Sequence, residues 1–218
     1  MDTAFFPFPD RDACRNILSD DPCYPKIPES QREAIFEDAW AFGMQAADEM
    51  WDSCPHDAGM RTLLKSNGLK LERRNIDYVV GNTRYFCDYV SGEGIITIYR
   101  KSVALWAESN GLSYEDSEEL ILAHEMFHYL ESHRFGLASR RFLVPMLQIG
   151  KLRIGKTGIP ALSEIAANAF ANRWYTLSAD AGKVTEAQPP DTQDALPAAQ
   201  VEKTERTVKQ LFKRMISF

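Results

Sequence analysis

At 218 residues, with 44 % hydrophobic and 26 % charged side chains, the chain has the composition of one well-cored globular domain with appendages. A formal charge of −6 argues against wholesale nucleic-acid binding, and no apolar run is long enough to span a bilayer. The opening MDTAFFPFPDRD lacks the basic start and the apolar stretch of a signal peptide, so a cytoplasmic location is expected.

Residues 1–28 hold five prolines and read as an arm lying extended on the surface. Ser30 and Glu33 then have the spacing of a capping box. Behind them Ile35, Ala39, Phe42, Ala46 and Met50 recur at helical spacing, and Phe36, Trp40, Ala47 and Trp51 widen the stripe, so this helix should be buried over a broad face. A shorter helix through Met60, Leu63 and Leu64 is expected to stop at Gly68, which can take the left-handed conformation of a helix end. The segments LKLERR, YVVG, TRYFCDYV and GIITIYR, broken by Gly81, Asn82, Gly92 and Gly94, predict a small antiparallel or mixed sheet. Cys14, Cys23, Cys54 and Cys87 form no C-x-x-C pair and no regular framework, which suits reduced, partly buried thiols.

A helix is predicted from Ser113, a suitable N-cap, to Arg134, because acids crowd its first turns and no Gly or Pro interrupts it. It carries HEMFH, residues 124–128, a zinc-protease pattern. His124 and His128 are four apart, so both imidazoles project from one face and can meet one zinc ion. Glu125 sits beside them, close enough to hold a zinc-bound water and take its proton. The plainer reading, a helix with two surface histidines, fits poorly with LILAHEMFHYL, which is apolar on several sides.

A third ligand is needed. Glu131 shares the histidine face, but three ligands along one straight helix converge badly, and it reads as a solvated or capping acid. A second helical pattern, ALSEIAANAFANRWY, opens near Ser163 and sets Glu164 and Asn168 four apart. There Glu164 can complete the site and Asn168 can hydrogen-bond a metal-bound histidine.

GKLRIGKT, residues 150–157, fits the phosphate-binding pattern G-x-x-x-x-G-K-[ST], but its context does not. Pro145 lies in the preceding apolar run, Gly158 and Pro160 stand where a helix should begin, and the chain that follows cannot supply a nucleotide-binding sheet. No ATP is expected. Between Ser132 and Ser163 the chain carries Arg134, Arg140, Arg141, Lys151, Arg153 and Lys156 and no acid; this is either a solvated connector or a lid whose cations steer an acidic substrate. Residues 179–200 read as a linker and residues 201–218 as an amphipathic helix.

LAHEMFHYL and SEIAANAFA, with the preceding order of two helices and a small sheet, resemble the ImmA/IrrE-type metallopeptidases, a gluzincin-like family of bacteria, phages and mobile elements. The resemblance covers residues 30–178 and differs from the family pattern at Phe127, usually small, and Ala166, usually a second glutamate. It implies an α+β, zincin-like domain over residues 29–178, zinc held by His124, His128 and Glu164, Glu125 as general base, and a cytoplasmic protein substrate. Better-known members cut a repressor, so a DNA-binding repressor is the implied partner class. No direct nucleic-acid contact and no membrane are expected. The segment Ile95–Tyr99, through Ile95, Thr97 and Tyr99, reads as an edge strand that would align a substrate by strand addition, and Tyr175 or Tyr129 as a group steadying the oxyanion. The competing expectation is a regulator on the same fold that senses metal or a partner without turnover.

Overall fold

The computed structural model describes residues 10–181 apart from positions 57, 82, 91 and 151, and the part of the predicted arm within it begins as a helix. Asp10 caps α1 (Arg11–Ser19), its carboxylate accepting from the Ala13 backbone N–H at 2.7 Å. The helix buries Cys14 and Leu18, and Cys23 and Ile27 beyond it join the same apolar cluster. The prolines that suggested extension at Pro22, Pro25 and Pro28 all follow the helix, where they shape a turn. Residues 10–28 of the arm are therefore part of the core, because Cys14 and Leu18 at helical spacing find an apolar partner that no local pattern announces.

The long helix α2 (Arg32–Ser53) buries the broad face predicted for it. It starts after a 3₁₀ turn (Glu29–Gln31), with Gln31 at the N-cap and no side-chain cap bond. The Ser30–Glu33 capping box does not form, because Glu33 accepts instead from the Arg15 guanidinium at 2.6 Å and draws α1 onto α2. Helix α3 (Met60–Ser66) ends as expected, with Gly68 at φ 79°.

Five strands follow: β1 (Lys70–Arg74), β2 (Tyr78–Val80), β3 (Thr83–Tyr85), β4 (Cys87–Val90) and β5 (Ile95–Tyr99). β2 and β3 form a separate hairpin, while β5 pairs parallel with β1 and antiparallel with β4. The sheet is mixed, and Ile95–Tyr99 is its centre, not its edge. A near-continuous apolar run such as IITIY belongs where both faces are covered, and four of its five residues are buried.

Helix α4 (Arg100–Asn110) continues directly from β5 and stops at Gly111, φ 65°; it has no side-chain cap to advertise it. In α5 (Tyr114–Leu130) the Ser113 hydroxyl accepts from the Asp116 N–H at 3.0 Å, as predicted. The α-helix ends at Leu130 and widens into a π turn (Glu131–Phe135) before Gly136. Two of its acids serve packing rather than the helix dipole. Glu118 is buried between Arg61 and Arg73, at 2.7 and 2.6 Å, and Glu119 accepts from the Met60 N–H and the Trp174 indole.

GKLRIGKT lies across two small ladders, β6 (Leu143–Val144) with β9 (Thr157–Gly158), and β7 (Leu147–Ile149) with β8 (Leu152–Ile154). Strand β9 stands where a phosphate-binding loop would open a helix. Helix α6 (Pro160–Asp180) starts three residues ahead of Ser163, with Pro160 in its first turn, and runs into the predicted linker. The remainder of that linker and the predicted helix 201–218 lie outside the described residues. α2 crosses α6 so closely that a Cβ on Gly43 would lie 2.0 Å from the Ala166 carbonyl oxygen. Among the described residues the helices and small sheets make an α+β fold, and no helix is long and apolar enough to cross a membrane.

Candidate metal site

α5 and α6 pack side by side, which brings a pair of histidines one turn apart on α5 against an acid in the second turn of α6. The Nε2 atoms of His124 and His128 are 3.2 Å apart; the Glu164 carboxylate spans them, Oε2 at 3.4 Å from His124 and Oε1 at 3.6 Å from His128. Ligands about 2.0 Å from one ion at tetrahedral angles stand about 3.3 Å from each other. The three residues named from the sequence are thus together, and they could hold a metal ion.

Each histidine is held from behind. His124 Nδ1 lies 2.9 Å from Asn168 Oδ1, and His128 Nδ1 lies 2.9 Å from Glu131 Oε1. With Nδ1–H donating in both rings, Nε2 is left as the ligand atom. Asn168 takes the place expected of it, and Glu131 does not. It is only 4 % exposed, and its other carboxylate oxygen accepts from the Ala138 N–H and the Ser163 hydroxyl, both at 2.9 Å. The capping half of the expectation holds at Ala138, which opens a 3₁₀ turn (Ala138–Arg140). The solvated half fails, because the chain after Gly136 folds back over this carboxylate. Its spacing of three from His128 was the available signal.

Burial disfavours the charged form of His124, but Glu164 more than offsets this and raises the imidazole to about 9. Burial alone would raise Glu164; His124 instead holds it down to about 2. With 52 % of the Glu164 side chain facing solvent, this pair is screened and adds little to stability. Glu125, beside His124, lines a cavity of about 300 Å³ whose apolar walls include Phe86, Trp106, Leu120 and Ile121. Burial pushes the Cys87 thiol well above its ordinary range, and the Glu125 carboxylate it meets reinforces the shift. Cys14 and Ile17 of α1 line the cavity, a contribution invisible while residues 1–28 read as an extended arm.

The other expected substrate contacts lie elsewhere. Thr97 and Tyr99 are buried in the central strand, where the Tyr99 hydroxyl donates to Asp88, and Ile95 has Lys70 on one side and Val90 on the other. The sheet edge next to Glu125 is β4, through Cys87. Tyr175 feels burial and then Asp116, eight residues before His124 and so about 12 Å away along α5; the Tyr129 hydroxyl donates to the Asn67 carbonyl at 3.4 Å. Phe127 is buried in the core, ring centroids 5.8 and 5.9 Å from Phe42 and Phe170, and it also meets the His128 imidazole edge-on at 6.2 Å, so its bulk backs a candidate ligand from the core side. No protein-family description matches the chain, and no curated protein or solved structure is significantly similar to it.

Proposed function

We propose that this chain is a zinc metallopeptidase of zincin-like fold, related to the ImmA/IrrE type, that cuts a peptide bond in a cytoplasmic protein of the repressor class. The observation that carries the reading is the facing of His124, His128 and Glu164 at ligand spacing, with Glu125 at the adjoining cavity. Two imidazoles and a carboxylate leave a fourth position open, the donor set of catalytic rather than structural zinc. Zinc bound there would supply Lewis acidity and a water of lowered pKa. Asn168 and Glu131 keep both Nε2 atoms turned to the metal position. Glu125 takes the proton of the attacking water and returns it to the leaving amine. The apolar cavity walls accept an apolar side chain. Strand β4, which among the described residues has β5 as its one strand neighbour, is the backbone edge that can pair with an extended substrate.

The test is Glu125→Gln in the full chain, read by metal content and by cleavage of an internally quenched peptide library. The expected result is about one zinc per chain in both proteins and cleavage by the parent alone. Metal retained with no cleavage by the parent would instead favour a metal-sensing regulator.

A further inference from the structure

We infer that the β7–β8 hairpin is a docking surface for an acidic, extended segment of the protein substrate that carries apolar residues. The segment lies apart from the bond to be cut. Only the identification of the partner as a substrate rests on the peptidase reading.

Of the nine large apolar side chains exposed among the described residues, three belong to this hairpin, Leu147, Leu152 and Ile154, and two, Leu143 and Met146, to the chain just before it, all 46–62 % exposed. Clustering of this kind marks interaction sites more often than scattered exposure does. Leu147 pairs across the ladder with Ile154, so with Leu152 they share one face, while Arg153 lies on the other.

Charge selects the occupant. Residues 132–163 hold six cations and no acid in a chain of net charge −6. Asp38 takes Arg141, and Arg134 lies over the Phe135 ring. Arg140, Arg153 and Lys156 are exposed and form no ion pair with any described residue. A partner rich in Asp or Glu meets them; the chain's own residues 201–218, with Lys203, Arg206, Lys209, Lys213 and Arg214, are matched in sign and repelled. Among the described residues the outer edges of β7 and β8 have no strand neighbour. Those edges can bond a third strand, whereas hydrocarbon would leave them unsatisfied, which favours polypeptide over lipid.

The β6–β9 ladder, whose strands flank the hairpin in the chain, is tied to the metal site. A Cβ on Gly158 would lie 2.4 Å from the Ser139 carbonyl oxygen, and the Ser139 N–H donates to the hydroxyl of Ser163, which donates in turn to Glu131 behind His128. A segment docked here is held by the same framework that positions the ligands.

The test uses fluorescein-labelled peptides of alternating glutamate and valine, or lysine and valine, titrated into the full-length Glu125→Gln chain and read by anisotropy. The glutamate peptide should bind saturably, weaken as salt rises, and lose about tenfold or more in affinity, about 1.4 kcal/mol, to Leu152→Ser/Arg153→Ser/Lys156→Ser. Val79→Ser, an exposed apolar position on β2, should leave binding unchanged. Binding that persists in a metal chelator keeps this inference separate from the fate of the peptidase reading. Equal affinity for parent and triple variant, or no saturable binding, overturns the inference. So would sedimentation of the parent with phosphatidylserine vesicles, or a dimer in light scattering, if the triple variant abolished either one.

Discussion

His128 and Glu131, one turn apart at the end of α5, are joined Nδ1 to Oε1 at 2.9 Å, and the same carboxylate accepts from Ala138 and Ser163. One buried acid thus ties a candidate metal-ligand ring to the turn after α5 and to the residue preceding Glu164. Its removal leaves the ligand atoms in place and unfastens their support. Glu131→Ala should therefore weaken metal binding by about 10- to 100-fold without abolishing it, while His128→Ala and Glu164→Ala abolish stoichiometric binding. Competition against a chromophoric chelator measures all three; a Glu131→Ala chain with parental affinity would rule out the supporting role.

Metal uptake should release a proton. In the metal-free chain His124 is raised to about 9 by Glu164, against the effect of burial, so at neutral pH the ion displaces a proton from it. Calorimetric titrations at pH 7 in buffers of different ionisation heat should give close to one proton released per ion. Zero net release would mean that His124 is already neutral.

The same shifts set the pH dependence of the metal-free fold. His124 is raised above its ordinary 6.5, so its contribution is complete below that pH and is lost as pH rises through about 9. Glu164 is depressed from 4.5 to about 2, so its contribution is present above 4.5 and is lost as pH falls through about 2. Because solvent screens the pair, melting scans should show the metal-free chain losing only a small part of its stability between pH 6.5 and 9, and His124→Gln less still. Parallel profiles for the two would contradict the assignment.

Gly43→Ala should be severe for so small a change. The new methyl would stand 2.0 Å from the Ala166 carbonyl oxygen, and backbone cannot step aside as a flexible side chain would. The cost should reach the upper end of overpacking penalties, about 3 kcal/mol, seen as a lower urea midpoint with loss of metal affinity, since Ala166 is two residues from Glu164. Gly68→Ala, with open space around it but φ 79°, should cost less.

Leu18→Ala separates a packed α1 from an extended arm. Leu18 is 4 % exposed, and truncating a core leucine costs about 2–5 kcal/mol. An unfolding midpoint equal to the parent's would return residues 10–28 to the surface.

What the sequence determined by itself lies mostly within single elements. Ser113 as a cap, the helical spacing of His124 and His128, the four-residue spacing of Glu164 and Asn168, and the stop at Gly68 follow from backbone geometry within a turn or two, where sequence distance is spatial distance. Placing Glu164 against the histidines needed the motif as well as the spacing. Only the tertiary structure decided what depends on neighbours far along the chain. Strand β5 became central because β1 pairs with it from one side and β4 from the other, and edge or centre is a property of the sheet, which a strand's own residues only hint at. Glu33 left its capping box for Arg15, Glu131 left solvent for His128 and Ser163, and α1 became a cavity wall. Arg15 is 18 residues from Glu33, Ser163 is 32 from Glu131, and the cavity that α1 lines takes its other walls from residue 84 onward; local spacing cannot show such partners, and the caps and propensities it does show carry only a few tenths to about 2 kcal/mol.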